Sequence, residues 1–214
     1  MSDQGTALLR AIEEGFEADV PDGGARRILL ASMEVFARKG LHGTKIGDIA
    51  RHAGFSQGFV YHYFPTKDAI YQRILALAAD GAARAVGLAM ALEGTPADRI
   101  RWLTEALLCP DSLSTQHWRL LLLQASMPDA LPADTAEELR RRNAQLVLQF
   151  AELLQEGQQA GQIAPLEPLT LAVTYFAVMQ GAGMMLAQST VPLPFVPIDR
   201  LLRFLWSEEG LNNG

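Results

Sequence analysis

The sequence predicts an all-α protein, with a small N-terminal helical block followed by a larger helical region. Three observations carry this. Apolar residues recur at three- and four-residue intervals along most of the chain. Nowhere do alternating β-branched residues mark a strand. Ser, Thr and Pro open the periodic stretches and Gly closes several of them, as in capped helices. With 214 residues, 49 % of them hydrophobic and 20 % charged, the chain can bury a sizeable core in one or two domains.

The elements follow in order. Residues 1–23 are an acidic leader ending in the turn cluster Pro21-Asp22-Gly23-Gly24. Leu8, Leu9, Ile12 and Phe16 have helical spacing, so the leader is either a short amphipathic helix or a flexible tail. Ile28, Leu29, Ala31, Ser32, Val35 and Phe36 line the next helix, which Gly40 stops. Thr44 caps a second helix, with Ile46, Ile49 and Ala50 inward and Gly54 at its end. Ser56 caps a very short third helix ending at Phe64-Pro65. Thr66 caps a fourth that reaches about Arg84, with Ile70, Ile74, Leu75 and Leu77 inward.

Longer helices follow Gly94. One covers 96–108, with proline at its first position after Thr95. A second covers 115–126. A third opens at Asp134 with Glu137 three residues on, buries Leu139, Leu146, Val147, Phe150, Leu153 and Leu154, and ends at Gly161. A fourth runs from Pro168 to about Gln188, and a fifth covers 198–208. The uncharged stretch 169–187 approaches the length of a membrane span. Gln180, Thr170 and Thr174 interrupt it and no Lys/Arg cluster flanks it, so it reads as a core or interface helix. No membrane partner is expected.

Net charge is −6, yet 24–67 carries seven basic residues against Glu34 and Asp48, a local +5 beside −11 for the rest. Such asymmetry points to an anion-binding face inside an acidic protein. The single Cys109 excludes an intramolecular disulfide and any thiolate-rich zinc site. The N-terminus, with Asp3, Glu13 and Glu14, lacks the basic region of a signal peptide, so a cytoplasmic protein is expected. No nucleophile elbow, Gly-rich phosphate loop, His-Glu-x-x-His motif or multi-carboxylate site is present. No enzyme activity, metal or cofactor is therefore expected.

Residues 44–64 hold two short helices around the tight turn Ala53-Gly54-Phe55, a helix-turn-helix pattern. The block resembles the TetR family of transcriptional regulators through Thr44, Ile49, Ala50, Ala53, Gly54, Ser56, Gly58, Tyr61, Tyr63, Phe64 and Lys67, and upstream through Ile28, Leu29, Ala31, Phe36 and Gly40. Phe55, Val60 and Thr66 replace the common Val, Leu and Ser. Gly47 stands where the family is usually polar, and Phe59 where it is often small. The close match covers about residues 26–77; beyond it the likeness is architectural.

In such a unit the third short helix offers its N-terminal residues to base edges. Gln57 suits adenine, and Gly58 lets the backbone approach DNA closely. Tyr61, His62 and Tyr63 suit phosphates or thymine methyls. Thr44 and Lys67 stand at helix starts, where free N–H groups favour phosphate. Arg26 and Arg27 precede the first helix of the block and suit the backbone or minor groove. Ser56 joins this set, and the resemblance adds Lys45. Phe64 reads mainly as core, Arg38-Lys39 as a complement to a helix dipole, and His42 and His52 as exposed polar positions.

The division expected is a leader at 1–23, a DNA-binding domain at 24–70 and an effector-binding and dimerisation domain at 71–214. An apolar effector site would draw on Trp102, His117, Trp118, Gln124, Tyr175, Met179, Gln180 and Met184. A homodimer interface would draw on Tyr175, Ala177, Gly181, Met185, Leu202, Leu205 and Trp206. The resemblance implies a sequence-specific repressor of operator double-stranded DNA, released by a small hydrophobic or amphipathic effector. A TetR-like activator, or a DNA binder without effector, is the alternative.

Overall fold

The computed structural model describes residues 1–109, 131–188 and 197–207. The helix expected at 115–126 lies outside them. Among the described residues the chain is helical, apart from an isolated antiparallel bridge between Ile163 and Trp206.

The leader is a packed helix, α1 (Asp3–Asp19), and not a tail. The Ser2 hydroxyl caps it by accepting from the Gly5 N–H at 3.0 Å. Its Leu8, Ile12 and Phe16 stripe is buried, which leaves most of the acidic residues toward solvent. Two polar ties fix its ends. The Ser2 N–H donates to the Glu105 carboxylate at 2.9 Å, and Asp19 pairs with Arg84.

Helix α2 (Gly23–Gly43) starts on Asp22, whose carboxylate accepts from the N–H groups of Gly24 and Ala25. Gly40 breaks it with a left-handed φ of 67°. The next helix, α3 (Ile46–Ala53), begins one residue later than the sequence pattern suggests, with Lys45 at its N-cap. Thr44 is buried, and its hydroxyl donates back to the Gly40 carbonyl at 2.7 Å. Asp48 supplies the missing acceptor by taking the Lys45 N–H at 3.2 Å. Gly54, at φ 70°, ends α3.

The other caps stand where the sequence puts them. Ser56 accepts from Phe59 N–H at the start of α4 (Gln57–Tyr63), and Thr66 from Ala69 N–H at the start of α5 (Lys67–Ala91). α5 runs past Arg84. It is long and apolar enough to cross a membrane by length and composition, but Ile70, Ile74, Ala78, Ala85 and Ala89 are buried inside the protein. Thr95 and Asp98 form a capping box at α6 (Pro96–Leu108).

α7 (Ala133–Gln159) and α8 (Pro168–Gln188) form the far side of the bundle. The expected long final helix is replaced by a short one, α9 (Ile198–Leu201), and a 3-10 turn at Arg203–Leu205. Gly161, at φ 71°, reverses the chain after α7, and the C-terminal strap pairs with that corner. Ala164 N–H donates to the Leu205 carbonyl at 2.8 Å, and Ser207 N–H to the Gln162 carbonyl at 3.0 Å. Those bonds anchor the backbone that a longer helix would have used internally.

Two apolar clusters result. One joins Leu8 and Ile12 of α1 to Ile100, Leu103, Phe150, Tyr175 and Leu205. The other joins Phe16 and Val20 to Ile28, Phe36, Ile49, Val60 and Ile70. α1 and α5 contribute to both.

Candidate nucleic-acid interface

Ile49 and Ala50 of α3 and Val60 of α4 are buried against α2 and α5, which fixes how the two short helices cross. Two side-chain contacts tie α3 to α2. Lys39 meets Asp48 at 3.0 Å, and His52 meets Glu34 at 2.6 Å. The Lys39 ammonium, first, and then the Lys45 N–H hold the Asp48 carboxyl below its usual range. His52 stays exposed, as read from the sequence, and Lys39 near the end of α2 is exposed and pairs with Asp48.

With Val60 inward, α4 presents Gln57, Gly58, Phe59, Tyr61 and His62 to solvent. Ser56 caps the helix beside them, and Lys45 is exposed at the start of α3. These expected DNA contacts are thus all accessible on the α3–α4 unit. Gln57 lies over Gly47: a methyl group built on Gly47 would sit 3.1 Å from the Gln57 amide nitrogen. The unusual glycine therefore makes room for the glutamine.

Other expected contacts are already engaged inside the protein. Arg26 folds away along the end of α1, where its Nε donates to the Val20 carbonyl at 2.9 Å and its Nη2 to the Glu17 carbonyl at 3.2 Å. A cation there complements the negative end of the α1 dipole. Lys67 donates to the carbonyls of Leu41 and Thr44. Thr44 is buried, as described above. Tyr63 is half-buried, with its hydroxyl over Gly24 and bonded to Asp22. The Asp22 carboxylate pushes the phenol up, while the Ala25 N–H, first, and the Tyr63 hydroxyl draw the carboxyl down.

Sequence reasoning named Phe59 and Gly47 as departures from the resemblance and Asp22 as part of a turn, without including any of them among the site residues. The signals were present as an aromatic at a position the resemblance expects to be small, an acid at the helix start, and a glycine without a turn.

The expected effector residues divide. Trp102 packs against the first cluster, while Tyr175 and Met179 lie inside it. Tyr175 stacks on Phe150 at 4.3 Å, and its hydroxyl meets that of Thr104 at 3.0 Å. Gln180 is exposed on α8, on a different side of the helix from the buried Tyr175 and Met179. His117, Trp118 and Gln124, and the side chain of Met184, lie outside the described residues.

The expected interface also divides. Ala177, Gly181 and Met185 are exposed along α8. Tyr175, Leu202, Leu205 and Trp206 are buried within the subunit and leave the interface set, because the C-terminal strap is consumed in closing the first cluster. Among the described residues no group of three or more His, Cys, Asp or Glu is placed to hold a metal.

Residues 28–74 match the bacterial regulatory proteins, tetR family. The HTH-type transcriptional regulator YfiR of Bacillus subtilis (strain 168) is 28 % identical over 153 residues, covering 70 % of this chain and 72 % of that one. The fold resembles the ketosteroid transcriptional regulator KstR2 of Mycobacterium tuberculosis, with TM-score 0.66, 19 % identity and coverage of 86 % and 96 %. It also resembles AibR, solved in complex with isovaleryl coenzyme A and operator DNA, with TM-score 0.64, 17 % identity and coverage of 84 % and 94 %.

Proposed function

This chain belongs to the TetR family of transcriptional regulators, and from that premise we propose that it is a dimeric repressor which a small hydrophobic or amphipathic effector releases from its operator. It is a DNA-binding regulator, not an enzyme. The observation that carries the reading is the α3–α4 unit, which exposes Lys45, Ser56, Gln57, Gly58, Tyr61 and His62 within the +5 segment. We assign 24–70 to DNA reading and 71–214 to effector binding and dimerisation, with α1 resting on both. As a reader of operator DNA, the protein is assigned by us to the cytoplasm.

The dimer reading rests on α8. Leu169, Val173, Ala177, Gly181 and Met185 recur every fourth residue on its outer side, and all are exposed. Val173 and Met185 are 54 % and 65 % exposed, although the helix carries no charge to solvate them. Open space over Gly181 permits a close crossing. Two α7–α8 pairs would form a four-helix interface about a two-fold axis and present two copies of α4 to successive half-sites.

The effector reading rests on Trp102, Tyr175 and Met179 in the first cluster. The isovaleryl coenzyme A of the AibR complex and the ketosteroid of KstR2's description support an apolar or amphipathic class. α5 spans from this cluster to the base of α4, so a ligand that prefers one pose of α5 changes the separation of the two α4 helices. A large population shift needs several kcal/mol of such preference.

Selection from a random duplex library with the purified chain tests this. A palindromic motif, affinity falling steeply with salt and a dimeric mass are expected. Val173→Arg is expected to yield a monomer with weakened operator binding. Binding without sequence preference, or a monomeric protein that still recognises a palindrome at full strength, would sink the reading.

A further inference from the structure

We propose that Phe59 is a specificity-determining residue that reads the C5-methyl group of a thymine in the major groove. The proposal rests on α4 being the helix that enters the groove.

Val60 is fully buried and sets the inward side of α4. Helical geometry then places Gly58 and His62 outermost, with Phe59 on one flank and Gln57 and Tyr61 on the other. Phe59 is 37 % exposed, though a phenyl ring has no polar atom for water to hold. The ring is also supported from within. It lies 4.4 Å from Phe55 and 5.2 Å from Tyr63, between centroids, and the Arg27 guanidinium sits 5.1 Å over Phe55. An aromatic side chain braced in this way presents a fixed apolar edge at little entropic cost.

Gly58 supplies the second observation. Nothing in the fold requires a glycine there: its φ is not left-handed, and a methyl group would meet nothing nearer than the Ser56 hydroxyl at 3.9 Å. The bare position faces outward. It lets the helix settle deeper toward the base pairs, which brings the flanking Phe59 ring to the depth of the base edges.

The chemistry then selects the target. A phenyl ring neither donates nor accepts a strong hydrogen bond. Of the base edges in the major groove, only that of thymine carries an apolar group, the C5-methyl. Against cytosine the same ring would strip water from the N4 amino group and return nothing. Phe59 therefore favours thymine at one position of each half-site.

The test uses the full chain and the duplex that it selects from a random library. Each thymine is replaced in turn, in both half-sites, by deoxyuridine, which removes only the methyl group. At one position the wild-type protein is expected to lose about fourfold in affinity per half-site, the worth of one buried methyl. Phe59→Ala is expected to bind the thymine duplex more weakly and to lose that discrimination, while Phe59→Leu retains part of it. Circular dichroism confirms that each variant folds. Equal binding of thymine and deoxyuridine duplexes at every position overturns the proposal, as does undiminished discrimination by Phe59→Ala. A library that enriches no sequence overturns the reading of α4 as a DNA reader, and this proposal with it.

Discussion

The Lys67 ammonium donates to the Leu41 carbonyl at 2.9 Å, joining the first turn of α5 to the end of α2. A second bond, to the Thr44 carbonyl at 3.2 Å, closes the same gap. Both acceptors lie past the break in α2 at Gly40, where the Leu41 carbonyl also takes the Thr44 N–H at 3.3 Å. Lys67 is thus an internal clamp under the helix-turn-helix unit. Lys67→Met is expected to cost about 2 kcal/mol, the scale of hydrogen bonds to a charged donor, measured as a lower denaturant midpoint at unchanged slope. The salt dependence of operator binding is expected to stay the same. A fall of about one in the logarithmic salt slope would mean that Lys67 leaves its carbonyls for a phosphate.

Gly58→Ala separates folding from reading. The position is helical, open and free of positive φ, so alanine is expected to preserve the melting temperature or raise it slightly. Operator affinity is expected to fall at least tenfold, because the added methyl stands between α4 and the groove. Unchanged affinity would place the groove on another side of the helix.

Much of this architecture is written locally. Ser56, Thr66 and Thr95 cap helices where their spacing says they do, because a side-chain oxygen three residues ahead of a free N–H needs no distant partner. Thr44 breaks that rule because the Gly40 turn offers its hydroxyl a nearer acceptor. The leader was legible only as an amphipathic stripe; its helical state depends on α5 and α6, which sequence periodicity does not place. The C-terminal strap misled for a related reason. Leu202, Leu205 and Trp206 signal burial, but not whether the burying surface belongs to the same subunit. At the candidate interface, the exposure of Gln57 and Tyr61 follows from their place in the motif, whereas Asp22 acts on Tyr63 across more than forty residues of chain.

Tyr175 makes stability pH-dependent on the alkaline side. Burial pushes its phenol well above the ordinary tyrosine value of 10.0, while the Thr104 hydroxyl opposes the shift in part. The folded state therefore keeps a proton that the unfolded state gives up. Stability is full below about pH 10 and falls as pH rises beyond it. Tyr71 is shifted the same way by burial. Tyr175→Phe is expected to flatten the alkaline decline, measured as denaturant midpoints from pH 8 to 11. The cost at neutral pH is expected to be only about 1 kcal/mol, since the Thr104 hydroxyl keeps its bond to the Ile100 carbonyl. An identical alkaline profile in the variant would show that other groups control it.

The leader helix predicts how the molecule unfolds. Leu8 and Ile12 belong to the cluster around Phe150 and Tyr175, while Phe16 and Val20 belong to the cluster under α3 and α4. Asp19 and Arg84 pin the C-terminal end of this bridge, with Arg84 packed closely over Gly15. A helix that completes both cores cannot leave one without exposing apolar surface in the other. The two regions are therefore expected to melt together in a single calorimetric transition. Leu8→Ala and Phe16→Ala each remove a buried side chain, at a cost of about 3 kcal/mol. For a chain of this length that is roughly 6–12 °C in melting temperature. Each variant is expected to shift the whole transition, although Leu8 and Phe16 sit in different clusters. If Leu8→Ala instead splits the transition and leaves the melting of the DNA-reading unit in place, α1 is a passenger on one core rather than the strap between two.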